Sequence, residues 1–441
     1  MSSSPQRIGV IGGGFAGLTA ALRLAQAGHD VTLWEKGRFG GQAATIPIGD
    51  TRIEIFYHHL FQSDTSITAL ANELGVGDRL MWLPSNVGYY ADGRILPLNG
   101  AVDLLKLSIL PIWDRLRVGL VTAYLQRVKD WKRFEDVTAH EWLTKALGKN
   151  AYDKTLGAQL RAKFGRYYDK VAMVWFWGKI WLRTTSRRSP LDQEKLGYFD
   201  GSFQVMVDAM VRGCEQAGVH MVKAGISTIH QLDDGRWSVA TEHDDAPGEF
   251  DKILATTPSN IFQRLVPDLP AAYSAKLNAL EYEAAVVALL ELEHPLSEVY
   301  WLNIADSDLP FTAVIEHTNF VDPAKYGGKR LVYLSKYIEP DHPYFTMSED
   351  EIIEAYIPHL KKINPDFNRS WITGAKVFRE RAAQPIIPLH YSSMIPEHRT
   401  PLRNLYLANT TQIYPEDRGT NYSVRLGEQI AAMMLADMKA Q

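Results

Sequence analysis

The residues near the start of the chain that could do chemistry are three glycines, an acid and a pair of histidines. Gly12, Gly14 and Gly17 fit the spacing G-x-G-x-x-G, and Glu35 follows. Glycines at that spacing suit a ligand carrying a pyrophosphate. The first permits a tight turn, the second leaves room for the phosphates, and the third lets a helix pack close to a strand. An acid roughly 20 residues further on is placed to bind ribose hydroxyls. His58 and His59 are candidate acid–base groups, or groups that orient a polar substrate. A hydrogen-bonded structural histidine is the competing reading of either one. The pair has no helical i, i+4 partner and no Cys or acid cluster after it, so no metal site is expected.

These residues need elements to position them. Ile8–Ile11 reads as a strand buried on both faces. Phe15 and Ala16 lead into the Ala- and Leu-rich run Leu18–Ala27, a good helix ended by Gly28, whose first amides would face the phosphates. Val31–Trp34 reads as the second strand, with Glu35 and Lys36 at its end. Strand, glycines, helix, strand and acid in that order make a dinucleotide site. Glu35 does not separate NAD from FAD.

Bulk properties narrow the class. The 441 residues suggest two or three structural units. A net charge of −4 argues against a nucleic-acid binder. The single cysteine, Cys214, excludes an intramolecular disulfide and reads as a buried structural thiol. "MSSSPQR" has no apolar run of its own, and no apolar stretch is long enough to span a bilayer. A cytoplasmic location is expected, with membrane association as the alternative. Neither G-x-S-x-G nor H-E-x-x-H occurs, so no hydrolase constellation emerges.

The stretch "KGRFGGQ" resembles the large flavoenzyme group that includes amine oxidases, protoporphyrinogen oxidases and phytoene desaturases. Glu35, Arg38 and Gly40-Gly41 match, one residue shorter than usual, and Gln42 stands where Arg or Lys is common. "NLYLANTTQIYPEDRGTNYSVRLGEQIAAMML" resembles the group's C-terminal flavin segment: a strand, the turn Asn409-Thr410, a loop, then Gly419-Thr420-Asn421 opening a helix at Tyr422. Asn409 replaces a usual Gly, and Thr410 a common acid. Two internal segments also match, one placing Ile226 against the adenine through its backbone, the other carrying Thr257 in "ATTPSN". The resemblance implies bound FAD, with a helix N-terminus at the flavin ring.

The middle of the chain decides the substrate. "IEIFYHHLF" resembles the desaturase-like branch at Glu54, His58, His59 and Phe61. Residues 111–190 carry 17 Lys and Arg against 7 Asp and Glu, and six of the eleven tryptophans. Three readings stay open there: a helical subdomain with core tryptophans, a peripheral membrane contact, or a pocket for an anionic substrate. Arg161, Arg166, Arg183, Arg187 and Arg188, with Tyr167 and Tyr168, are candidates for that pocket. Gln384, Pro385 and Tyr391 are expected at its edge, the proline favouring a loop.

The expected fold is α/β: a discontinuous Rossmann-like FAD-binding domain (1–85, 196–270 and 386–441), a helical, basic, Trp-rich insert (86–195) and a β-rich substrate domain (271–385). The expected activity is FAD-dependent oxidation of a C–H bond in a hydrophobic or amphipathic small molecule, for example an isoprenoid or lipid-linked one. A redox-neutral flavin isomerase resembling UDP-galactopyranose mutase and a non-catalytic flavin-binding protein are the alternatives. Substrate residues are expected at Arg183, Arg187 and Tyr391. The sequence sets no oligomeric state.

Overall fold

The computed structural model describes residues 4–185, 193–243 and 248–440. The chain opens with β1 (Arg7–Ile11), α1 (Phe15–Gln26) and β2 (Asp30–Trp34), then α2 (Thr65–Glu73). A hairpin of β3 (Val87–Ala91) and β4 (Arg94–Pro97) follows. Next come α3 (Ala101–Lys106), α4 (Ile112–Leu125), α5 (Ala139–Leu147), α6 (Lys149–Lys154), α7 (Leu156–Phe164) and α8 (Met173–Thr185). After α9 (Gln204–Gln216) come β5 (His220–Val222) and β6 (Lys252–Ala255). The rest comprises β7 (Tyr282–Leu292), β8 (Trp301–Ile304), β9 (Ala313–Glu316), β10 (Arg330–Ile338), α10 (Glu349–Ile363), β11 (Ile372–Pro385), β12 (Leu405–Leu407) and α11 (Thr420–Lys439).

β1 is the middle strand of a five-stranded parallel sheet ordered β12-β6-β1-β2-β5. Its strands come from the beginning, middle and end of the chain. A parallel sheet covered on both faces needs apolar residues at successive positions, and Ile8, Val10 and Ile11 are all buried. α1 packs between α9 and α11. Cys214 on α9 is buried, with its Sγ 3.4 Å from the Leu18 carbonyl, and burial pushes the thiol up to about 12.

The second sheet is ordered β11-β7-β10-β9-β8-β3-β4, antiparallel except where β8 meets β3. Its strands alternate faces. Val286, Ala288 and Leu290 of β7 and Val332 and Leu334 of β10 share a core with Ile352 and Tyr356 of α10. The alternate positions, Val287, Leu289, Leu331 and Tyr333, face the dinucleotide half.

Two boundaries differ from the sequence reading. The segment 86–97 is not helical insert but the β3–β4 hairpin of the second sheet. Its turn is Asp92-Gly93, both at positive φ (52° and 70°), the backbone that favours Asp-Gly in two-residue hairpins. The strand β11 also runs through Gln384 to Pro385 where a loop is expected. It is an edge strand, and its terminal proline costs no ladder bond.

Gly427 lets α11 lie against α1. A Cβ there would come within 2.5 Å of the Ala16 carbonyl oxygen and 2.7 Å of the Thr19 Cβ. Gly427→Ala is therefore expected to cost about 1–3 kcal/mol of stability by overpacking, whereas Gly75→Asn, at a positive-φ position with open space around it, is expected to cost less. Denaturant unfolding of the two variants checks this.

Candidate active site

The glycine turn after β1 is built by backbone constraints. Gly12 has φ +107°, and a Cβ on it would sit 2.5 Å from Thr256 Oγ1, which donates to the Ile11 and Gly12 carbonyls at 3.0 and 3.1 Å. A Cβ on Gly17 would stand 1.9 Å from the Gly12 carbonyl oxygen. Gly40 and Gly41 close on this turn: the Gly40 N–H donates to Gly13 O at 2.8 Å, and a Cβ on Gly41 would lie 3.2 Å from Gly14 Cα. Glu35 fastens both loops, accepting from the Gly13 N–H at 2.7 Å and the Gly37 N–H at 2.5 Å.

A cleft of about 270 Å³ runs over this turn. Gly12, Gly14, Phe15, Ala16, Glu35, Gly40, Gly41, Gln42, Thr257, Asn409, Thr410, Gly419 and Thr420 line it, and the Asn409 side chain donates to the Thr257 carbonyl at 3.0 Å. The chain ends thus meet in one groove. Thr257 Oγ1 is buried without a protein partner. Phe15 and Ala16 of the first turn of α1 and Thr420 of the first turn of α11 line the same groove. The residues fit a dinucleotide.

Other expected cofactor residues lie off the groove. Gly17 serves the helix–strand approach. Lys36 is exposed and pairs with Glu242 at 2.5 Å, and Arg38 is exposed. The Ile226 side chain packs into the core beside Trp34 and Phe250. Asn421 accepts from the Ser66 and Ile67 N–H groups at 2.9 and 3.1 Å, satisfying the free amides of α2, while bordering the cavity described next. Tyr422 borders the same cavity.

That second cavity, about 450 Å³, shares Gln42, His58, Glu380, Arg418, Gly419 and Thr420 with the groove. Its walls are largely apolar: Phe56 and Phe61, Leu156 and Leu160 of α7, Trp175, Phe176 and Ile180 of α8, and Val287 and Trp301 of the second sheet. His58 Nδ1 lies 2.6 Å from the Phe56 carbonyl and His59 Nδ1 2.9 Å from the Tyr300 hydroxyl. Burial lowers His58 to about 4 and His59 to about 3. Both are neutral imidazoles near pH 7, which orient groups without supplying charge.

Of the expected substrate residues, Arg183 reaches the cavity. Arg187 and Arg188 lie outside the described residues. Tyr391 does not reach either space: it is buried and donates to the Thr411 carbonyl at 2.8 Å. Arg161 is held by Asp153, and Arg166 by the Tyr167 hydroxyl. Gln384 is buried behind the wall and donates to Asp417 Oδ1 at 3.0 Å. Sequence reasoning missed Lys163, Lys179, Tyr337, Glu380, Asp417 and Arg418, all on the cavity wall. Lys163 was detectable, since it shares the i, i+4, i+7 face of Leu156 and Leu160. Among the described residues, no cluster could hold a metal ion.

The family description "Flavin containing amine oxidoreductase" matches residues 15–415. The chain belongs to this family. It is therefore a flavin-dependent oxidoreductase. It is 23% identical over 436 residues to a 15-cis-phytoene desaturase of Capsicum annuum, covering 92% of this chain and 74% of that one. Among solved structures, a candidate protoporphyrinogen oxidase from Exiguobacterium sp. 255-15 matches 99% of this chain and 100% of its own at TM-score 0.78 and 18% identity. Reduced UDP-galactopyranose mutase matches 99% of this chain and 98% of its own at TM-score 0.73 and 14% identity. At such identities the structural likeness is one of fold.

Glu54, behind the histidines, is fully buried. Tyr198 OH donates to its oxygens at 3.1 and 2.9 Å and the Phe203 N–H at 2.7 Å, yet burial raises it to about 7. A carboxyl raised above its unfolded value stabilises the fold while protonated. That contribution is present below about 4.5 and is lost as pH rises through about 7. Glu54→Gln mimics the protonated form. The variant should lose less stability than the wild type between about pH 5 and pH 8, the difference reaching no more than about 3 kcal/mol. Melting temperatures across that range check this.

Proposed function

We propose that the chain binds FAD and dehydrogenates a mainly apolar, amphipathic small molecule at a C–H bond. The observation that carries this is the apolar cavity opening directly onto the flavin groove through shared wall residues. FAD, rather than a shorter flavin, fits because the groove joins the glycine turn and Glu35, suited to an ADP moiety, to the first turn of α11. FAD, when bound, supplies an acceptor for two electrons and a proton as hydride. The α11 N-terminus would stabilise negative charge arising beside it. The cavity walls exclude water and hold the substrate C–H toward the groove. The relatedness to a phytoene desaturase supports an unsaturated or isoprenoid chain as the substrate's apolar part.

A second reading, a redox-neutral isomerase acting on a nucleotide-linked sugar, draws on the cations Lys163, Lys179 and Arg183 at the same cavity and on the fold likeness to the mutase.

The substrate's source follows from the surface. Among the described residues, the large apolar side chains that stand exposed are Val102 and Leu105 on α3 and Ile112, Trp113, Leu116, Leu120 and Tyr124 on α4. Trp113 is 78% exposed and Leu120 73%. Lys106, Arg117, Arg127 and Lys129 stand exposed around them. Apolar side chains ringed by cations suit an anionic bilayer surface. α4 packs on α8, whose other residues wall the cavity, so a lipid-phase substrate would have a short path. Trp175 and Trp177, by contrast, are core. No described helix is long and apolar enough to cross a membrane.

Purified protein should show an oxidised-flavin spectrum and release FAD on denaturation. Anaerobic addition of an acceptable polyene precursor should bleach it, with electrons passing on to a dye or quinone. Bleaching by NADPH together with turnover of a nucleotide sugar would instead establish the second reading. In flotation assays the protein should bind phosphatidylglycerol-containing vesicles, and Trp113→Ser with Leu120→Ser should weaken binding by at least about tenfold. Equal binding by the double variant, or dimerisation through this face in solution, would remove the membrane reading.

A further inference from the structure

We infer that the α7–α8 side of the cavity is an anion subsite, in which Lys163 and Arg418 receive an acidic headgroup of the substrate, a carboxylate or a phosphate. The inference rests on reading the cavity as the substrate site.

The cavity wall carries four cations: Lys163, Lys179, Arg183 and Arg418. Its acids are Asp64, Glu380 and Asp417. Asp417 is committed. Its Oδ2 pairs with Lys179, and its Oδ1 accepts from Trp175 Nε1 at 3.2 Å and Gln384 Nε2 at 3.0 Å. Glu380 accepts from the Ala382 N–H at 2.9 Å. Asp64 accepts from the Phe61 N–H at 2.8 Å, and burial raises it to about 7, so it is a weak counterion.

Lys163 has no carboxylate partner among the described residues. Its ammonium lies over the rings of Trp175 at 4.8 Å, Tyr337 at 4.9 Å and Phe164 at 5.7 Å. Aromatic faces compensate a buried cation in part. Arg418 donates through Nη2 to the Tyr337 hydroxyl at 3.0 Å, while its Nε is buried and unpartnered. Lys163 over the Tyr337 ring and Arg418 on its hydroxyl thus bring two cations to one wall of the cavity, positive charge that an anion would neutralise. Lys163 and Lys179 border the cavity and not the flavin groove, so the anion belongs to the substrate rather than to the dinucleotide pyrophosphate. An apolar chain along Leu156, Leu160 and Val287 with an acidic end at Lys163 describes an amphipathic acid.

Burial lowers Lys163 to about 8. The charged groups facing it are Tyr337 from β10, Lys179 from α8, Asp417 and Arg418 from the segment before α11, and Glu283 from β7. As pH rises through that value the ammonium is lost, and anion affinity falls with it.

The test uses FAD-loaded protein and four probes with one chain: decanoate, decyl phosphate, decanol and decylamine. Binding is read by perturbation of the flavin spectrum and by thermal shift. Decanoate or decyl phosphate should bind at least about tenfold more tightly than decanol, and decylamine more weakly than either. Lys163→Met should remove most of that preference, and Lys163→Arg should restore it. The preference should shrink between about pH 7 and about pH 9.5. Decanol binding as tightly as the acids would overturn the inference on wild-type protein alone, as would an unchanged preference in Lys163→Met. A protein that holds no FAD but shows the preference by thermal shift would sink the flavin reading and keep the subsite.

Discussion

A Cβ on Gly17 would stand 1.9 Å from the carbonyl oxygen of Gly12, and one on Gly427 2.5 Å from that of Ala16. These two approaches fix where α1 lies on the sheet and where α11 lies on α1. The groove follows from them. Gly14 and Gly41 bring a second loop onto the first, Glu35 ties the two together, and α11 delivers its own first turn to the far end. Segments hundreds of residues apart can share one ligand because none of them places a side chain where the backbones meet.

The other half is organised by polar burial. Asp417 stands in the loop before α11 and binds Lys179 and Trp175 of α8 and Gln384 of β11. Despite burial, the surrounding cations hold its carboxyl well below the usual range. One carboxylate thus joins the insert, the second sheet and the flavin-proximal segment. Removing any partner would leave a charge in a place with little water, so the three parts are positioned together. Lys163, which also faces the Asp417 charge, has its ammonium over aromatic rings.

What could be read from the sequence follows the range of each constraint. The dinucleotide half was legible because a tight turn, a close backbone approach and a strand end each demand a residue type locally. The β3–β4 hairpin was equally local, since Asp92-Gly93 between two β-rich runs is a turn signal, and the apolar-to-basic shift after it drew the domain boundary too early. Side-chain roles were less legible. Asn421 has the sequence of a flavin-segment residue, yet its carbonyl oxygen caps α2, a partner 354 residues away. Tyr391 has the type of a pocket residue and the place of a buried strut. Three basic residues, Arg161, Lys163 and Arg166, sit in one short run, and helical phase turns only Lys163 toward the cavity. Charge counting could not choose among them, because the choice depends on which face of α7 meets the second sheet.

The division between the halves explains how one fold accommodates proteins as different as a desaturase and a mutase. The dinucleotide half is specified in large part by backbone clearances at its glycines. The cavity is specified by side chains from α7, α8 and the inward face of the second sheet, whose alternate residues belong to a separate core beneath α10. In this chain the cavity side chains form a long apolar space with cations on one side, and the same insert that supplies many of them carries an exposed apolar face on α3 and α4. The polar chemistry of the cavity is thus set jointly, by Lys163 and Lys179 of the insert and by Asp417 and Arg418 of the segment before α11.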